Sequence, residues 1–338
     1  MTMETKNKSD NKKYKLSNET IEVNGHILHR IIATKDFGDV VANQIGGWIE
    51  SEDNLSHDGL CWVGEFAKVY EGADVRDNAL VTDYAIVCGK ARVGGNAIVR
   101  DYAKVYDDAR IYGNVKIENH AEVYRHATIK DSAEIIGNAK VYDYAEVCCN
   151  AVIGGNAKVF GSAFVSAFVY NNAKVYDHAM VIDCAKVKDD AEVYGHSVVR
   201  NCASVLDYAR VHDYAEITDS ARVYAKAEVK EHAKILGAAC IKGYSIVTKN
   251  AEVSGNAVID GNAIVSDMGD YMVFKNTWSS GRWFTWTRSN NMWSVGCFYG
   301  SGQELIKEAY ADDTKKGHHY KLVVNLVDTI NMLSGVKN

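Results

Sequence analysis

The chain has 338 residues, of which 47% are hydrophobic and 24% charged, and a formal net charge of −6. So modest a charge, with both signs interleaved along the chain, argues against nucleic-acid binding and against mimicry of DNA. No apolar run is long enough to span a bilayer and no signal-like leader opens the chain, so the composition describes a soluble, cytoplasmic protein with room for more than one domain.

Residues 1–13 are rich in Lys, Asn and Asp and read as a disordered tail. Residues 14–65 read as an N-terminal hairpin and cap. Ile21-Glu22-Val23, the turn pair Asn24-Gly25 and the run from His26 to Ile32 spell the hairpin. Trp48 and Trp62 follow just before the vocabulary changes.

Residues 66–266 repeat one six-residue phrase. From Ala67 to Ala163, in steps of six, the residue is Ala in 16 of 17 cases, Val115 being the exception; from Ala167 to Ala263 it is Ala in 15 of 17, with Ser197 and Ser245 as exceptions. Two residues after each of these positions, from Val69 to Val265, stands Val or Ile every time. Residues two apart share a face in a strand but point about 200° apart on a helix, so each hexad is a short strand with two inward side chains. The second residue after the Val is Asp, Asn or Gly in 26 of 32 hexads. These residues tolerate the left-handed backbone of a tight corner.

Three sides and three corners close a triangular coil of eighteen residues. The fold class is all-β dominated: a single-stranded parallel β-helix of about eleven coils, roughly 50 Å long at about 4.8 Å per coil. Between Val165 and Val169 the spacing is four residues instead of six. Losing an even number shortens one corner without turning inward residues outward. The absence of proline fits a backbone whose amides join ladders. Because the open ends of such a coil expose unpaired backbone, a cap at each end is physically required.

Residues 267–338 read as a Trp-rich α+β C-terminal domain, with Trp278, Trp283, Trp286 and Trp293 close together. The stretch from Tyr271 to Phe298 spells three short strands with a turn at Asn290-Asn291. Ser301-Gly302-Gln303-Glu304 is a capping box that opens a helix to about Ala311. A second helix, from about Tyr320 to Leu333, is expected to bury Leu322, Val323, Leu326, Val327 and Ile330. The eight cysteines lack Cys-x-x-Cys spacing and are expected as free thiols, although Cys184 and Cys202, eighteen residues apart, would stack on adjacent coils.

Runs such as Gly137-Asn138-Ala139-Lys140-Val141 and Gly155-Asn156-Ala157-Lys158-Val159 resemble the hexapeptide repeats of the left-handed parallel β-helix superfamily, which includes acyltransferases. More narrowly, Ile31-Ile32-Ala33-Thr34-Lys35-Asp36-Phe37, Gly46-Gly47-Trp48 and Cys61-Trp62 resemble the YdcK family of transferases, and together the likeness covers roughly residues 28–266. The left hand is implied by this resemblance alone. For function it implies a trimer that binds coenzyme A in the groove between neighbouring rods and takes a histidine base from a loop or coil edge. The Trp-rich tail is similar to those that follow hexapeptide repeats in prophage-like bacterial proteins. In one respect the sequence departs from the acyltransferase pattern, because its 34 hexads pass without an inserted loop.

Sorted at eighteen-residue spacing, the remaining positions form columns. Tyr70, Cys88, Tyr106, Tyr124, Tyr142 and Phe160 make one of them, which continues through Tyr176, Tyr194 and His212 if the shortened corner merely skips two residues. Its rings would stack from coil to coil, each pair adding about 0.5–1.5 kcal/mol. Such a ladder stiffens the coil, and as an aromatic strip it would bind a partner, a sugar or a polymer. Phe164, Met180 and Val198 point outward on another side and mark an oligomer or docking patch. His120, His126, His178, His196, His212 and His232 lie at corners or outward positions that any polar residue could fill. His178, His196 and His232 share a column interrupted by Tyr214, which leaves a metal set incomplete. Asn78, Asn96, Asn114 and Asn150, a column interrupted by Ser132, read as structural amide ladders.

The sequence therefore reads as a non-catalytic β-solenoid scaffold or binding protein, with no catalytic residue, metal or cofactor. It would act as a homo-oligomer or with a protein partner, and with neither nucleic acid nor membrane. The alternative is a coenzyme-A-dependent acetyltransferase of the hexapeptide-repeat class, using acetyl-CoA.

Overall fold

The computed structural model describes residues 12–333. They fall into two compact units divided between Gly195 and His196. Both units wind the same three-sided coil, and the fold is a β-solenoid. Every small residue of the hexad from Ala67 to Ala263 and every Val or Ile from Val69 to Val265 is buried, whereas the residue between them is half-buried or exposed in nearly every hexad. This is the period-2 alternation of a strand, repeated at each side.

Parallel ladders join each side to the equivalent side eighteen residues later, or sixteen where the shortened corner intervenes. In the first unit one sheet runs from Lys68–Val69 through Ile86–Val87 and Lys104–Val105 to Glu192–Val193. A second begins at Trp62–Val63 and a third at Asp74–Val75. In the second unit the same arrangement links Arg210–Val211 to Ile264–Val265, Ser204–Val205 to Val258–Ile259, and Val198–Val199 to Glu252–Val253.

The corners explain the choice of Asp, Asn and Gly. Apart from the shortened corner at Ser166, each corner residue from Glu71 to Gly261 has φ between 57° and 90°. This left-handed region costs an L-residue about 1–2 kcal/mol, least for Gly, Asn and Asp. A corner Asp also does something Gly cannot: its carboxylate accepts the backbone N–H of the corner one coil on. Asp77 accepts from Gly95 at 2.8 Å, Asp101 from Asn119 at 2.8 Å and Asp219 from Gly237 at 2.8 Å. The next residue's N–H goes to the following corner's carbonyl, as in Asn78 to Gly95 at 2.9 Å. The amide ladder forms over the first three members of its column, with Asn78 donating to Asn96 at 3.0 Å and Asn96 to Asn114 at 2.9 Å.

The four-residue step is a corner shortened to Ser166. Val165 and Val169 both remain buried, and Phe164 and Phe168 keep the ladder register with Met180 and Lys186.

The first unit opens with β1 (Tyr14–Val23), β2 (His26–Ala33) and β3 (Ile45–Ile49), an antiparallel hairpin and return strand. Asn24 and Gly25 turn the hairpin with φ of 52° and 87°. β3 then pairs in parallel with Lys68–Val69, so the cap continues the ladder. Gly47 allows this close approach, because a Cβ there would lie 2.6 Å from the Ala67 carbonyl oxygen. The expected disordered tail lies outside the described residues for 1–11, but Lys12 and Lys13 do not extend it. Lys12 pairs with Glu52 at 2.6 Å, and the buried Lys13 ammonium donates to the carbonyls of Asp58 and Gly59 at 3.2 Å.

The second unit closes with four antiparallel strands, Tyr271–Lys275, Trp283–Thr287, Met292–Val295 and Phe298–Ser301, where the sequence had suggested three. Two helices follow, α1 (Gly302–Asp312), capped by Ser301 and Glu304 as expected, and α2 (Thr314–Leu333). The buried arc of α2 differs from the sequence reading. Tyr320, Val323, Val324 and Val327 face Phe284, Trp286 and Trp293, while Leu322 and Leu326 are exposed. Side chains of this domain take the N–H groups that a further coil would have used. Thr285 accepts from Val258 at 2.9 Å, Ser289 from Ile264 at 2.6 Å and Tyr271 from Ser254 at 3.3 Å.

Candidate functional site

The aromatic column from Tyr70 to Tyr194 lies within the first unit, whereas His212, its expected last member, lies in the second. Each ring follows the buried Val of one side, where the chain leaves the ladder for the corner, so the ring is half-buried against the coil edge. Six members form one uninterrupted stack. The ring centroids are 4.8 Å apart for Tyr106–Tyr124, 4.9 Å for Tyr124–Tyr142 and for Tyr142–Phe160, and 4.8 Å for Phe160–Tyr176 and for Tyr176–Tyr194, with planes within 6° of parallel.

Tyr70 stands apart. Cys88 interrupts the stack, and Tyr70 is buried in the cap beside Leu28 and Trp48, tilted against His26 at 5.5 Å, with its hydroxyl accepting from Asn24 at 3.3 Å. It holds the cap rather than extending the strip.

Parallel stacking limits what the strip can grip. Each interior ring has another ring on both faces, so a sugar or base has no open face to stack on. Ring edges and Tyr hydroxyls are what remain. Burial first, and then the charge of Glu122 or Glu192, pushes the Tyr106 and Tyr176 hydroxyls well above their ordinary value. Burial does the same to Tyr124 and Tyr142. These groups therefore stay protonated and can donate hydrogen bonds at neutral pH.

Of the expected docking patch, Phe164 and Met180 are direct ladder neighbours, the first half-buried and the second 38% exposed. Val198 lies in the second unit and is half-buried.

A more exposed aromatic set was missed by the sequence reading. Phe66, Tyr84, Tyr102 and His120 stack at one corner with centroids 5.1, 5.1 and 5.0 Å apart. The first three are 50%, 50% and 52% exposed. Their eighteen-residue spacing carried the signal.

Among the corner histidines, His126 has the most chemically varied surroundings. Gly89, Lys90, Asp107, Asp108, Arg125, His126, Asp143 and Tyr144 line an open groove, with His126 stacked on Tyr144 at 4.8 Å and its Nδ1 3.8 Å from Asp108. His212 is nearly buried and both its nitrogens face carboxylates, Nε2 to Glu228 at 3.0 Å and Nδ1 to Asp213 at 3.3 Å, which leaves neither free as a base. His196 and His232 sandwich Tyr214 at 4.9 and 5.0 Å.

Coils, corner ladders and cap define a hexapeptide-repeat β-solenoid. Its likeness to a known protein is local. Over 65 residues the chain is 37% identical to the uncharacterized acetyltransferase YdcK of Escherichia coli (strain K12), a match that covers 19% of this chain and 20% of YdcK. The chain thus spans about a fifth of the length of that relative. No family model matches it.

Proposed function

We propose that the chain is a non-catalytic scaffold that associates with a second copy of itself along the Tyr106–Tyr194 column. One observation carries this reading: rings repeat at the ladder pitch of 4.8–4.9 Å over successive coils. A surface with that period is matched best by another surface of the same period, so that edges and hydroxyls of one copy register against those of the other. Met180 and Phe164 add apolar area on a different side of the coil. Replacing Tyr106, Tyr124 and Tyr142 together by Ser is expected to abolish self-association in sedimentation velocity while far-ultraviolet circular dichroism keeps the β signature. Retention of the same assembly in the triple variant defeats the proposal.

A second reading, an acyltransferase using acetyl-CoA, draws support from the local likeness to YdcK and from His126 beside Asp108, Lys90 and Arg125 in the groove. There His126 would serve as base and the cations would meet phosphate. Calorimetry with acetyl-CoA separates the two, since the scaffold binds none, whereas the transferase binds it and, given an amine or hydroxyl acceptor that takes the acetyl group, releases the coenzyme A thiol in a manner lost in H126A.

A further inference from the structure

We infer that Cys148, Cys149 and Asp131 form a site for a thiophilic divalent cation of the zinc type. The sequence reading assigns no metal; the two cysteines are adjacent in the chain and the third donor belongs to the previous coil. Cys148 follows Val147 and is buried; Cys149 is the exposed corner residue, at φ 60°, where most coils place Asp, Asn or Gly. Their Sγ atoms are 3.5 Å apart. Asp131 occupies the same corner one coil earlier and accepts the Cys149 backbone N–H at 3.0 Å, which fixes the carboxylate beside the thiols. One donor atom from each of the three residues lies within 4.8 Å of the other two.

Tetrahedral zinc with Zn–S bonds of about 2.3 Å holds two sulfurs about 3.8 Å apart, with a carboxylate oxygen at about 2.0–2.2 Å. The two thiols already stand within a few tenths of an ångström of that separation. Only the exposed Asp131 side chain has to close in, and solvent supplies the fourth ligand. Two sulfurs select a soft cation over magnesium or calcium. Binding forms two metal–sulfur bonds and one metal–oxygen bond and releases both thiol protons to water. Both sulfurs bind as thiolates, so affinity rises with pH.

The test uses the full chain, reduced and stripped with a chelator, titrated with Cd2+ and followed by its ultraviolet thiolate-to-metal charge-transfer band. One equivalent is expected, with two protons released. The band disappears in C149S, which leaves the buried position untouched and whose fold is checked by circular dichroism. D131N weakens binding at least roughly tenfold. As an independent readout, Zn2+ protects Cys148 and Cys149 from alkylation but leaves the exposed Cys184, Cys202 and Cys297 unprotected. An intact band in C149S, or equal alkylation of Cys149 with and without Zn2+, overturns the site.

Discussion

At the residue scale the corner is where sequence and geometry bind most tightly. Asp101 stands at φ 60° and its carboxylate accepts both the backbone N–H of Asn119 at 2.8 Å and its side-chain amide at 3.0 Å. D101A removes both bonds and leaves a Cβ in the left-handed region, a loss of about 1–3 kcal/mol. D101G loses the bonds but relieves the strain and is expected to cost less. Urea denaturation of the two variants checks the order, and midpoints equal to that of the parent would contradict it. The preference for Asp, Asn and Gly was legible in the sequence. The bond to a backbone group eighteen residues ahead was not, since it requires the stacked coils. Arg125, Cys149, Ala225 and Lys249 also take positive φ, so the closed coil imposes the conformation on whatever residue arrives there.

At the element scale the N-terminal cap carries a pH dependence. His57 stacks on the buried Tyr14 at 4.2 Å, and burial first, against the opposing pull of Glu52, holds its pKa below the ordinary 6.5. The folded cap thus binds this proton less readily than the unfolded chain does. Its contribution to stability is fully present above about pH 6.5 and is lost as pH falls through the lower folded value. Protection factors of the β1 and β2 amides, taken relative to intrinsic exchange at each pH, are expected to fall on acidification through that window, and H57Q should flatten this step. An unchanged step in H57Q would assign the dependence elsewhere.

The cap hairpin and α1 were legible from Asn24-Gly25 and from Ser301 with Glu304, because turn and capping chemistry are local. The buried face of α2 was not. Leu322 and Leu326 sit at helical spacing as good as that of Val323 and Val327, and only packing against Phe284, Trp286 and Trp293 decides between the two arcs.

At the scale of the whole molecule, inward positions meet the same surroundings in every coil, so two letters in six were enough to read the solenoid. Outward positions meet mostly water, where almost any polar residue serves. For that reason the candidate surface was read only in part. The stack from Tyr106 to Tyr194 was found in the columns, Tyr70 turned out to serve the cap, and the exposed rings of Phe66, Tyr84 and Tyr102 were passed over.

The most direct test of self-association along the column is site-directed cross-linking. In a background with Cys88, Cys149, Cys184, Cys202 and Cys297 changed to Ser, Y124C is treated with a short bismaleimide beside R110C, whose position is exposed on a different side of the coil. The account predicts a covalent dimer from position 124 and monomer from position 110; equal cross-linking from both, or dimer from 110 alone, would contradict it.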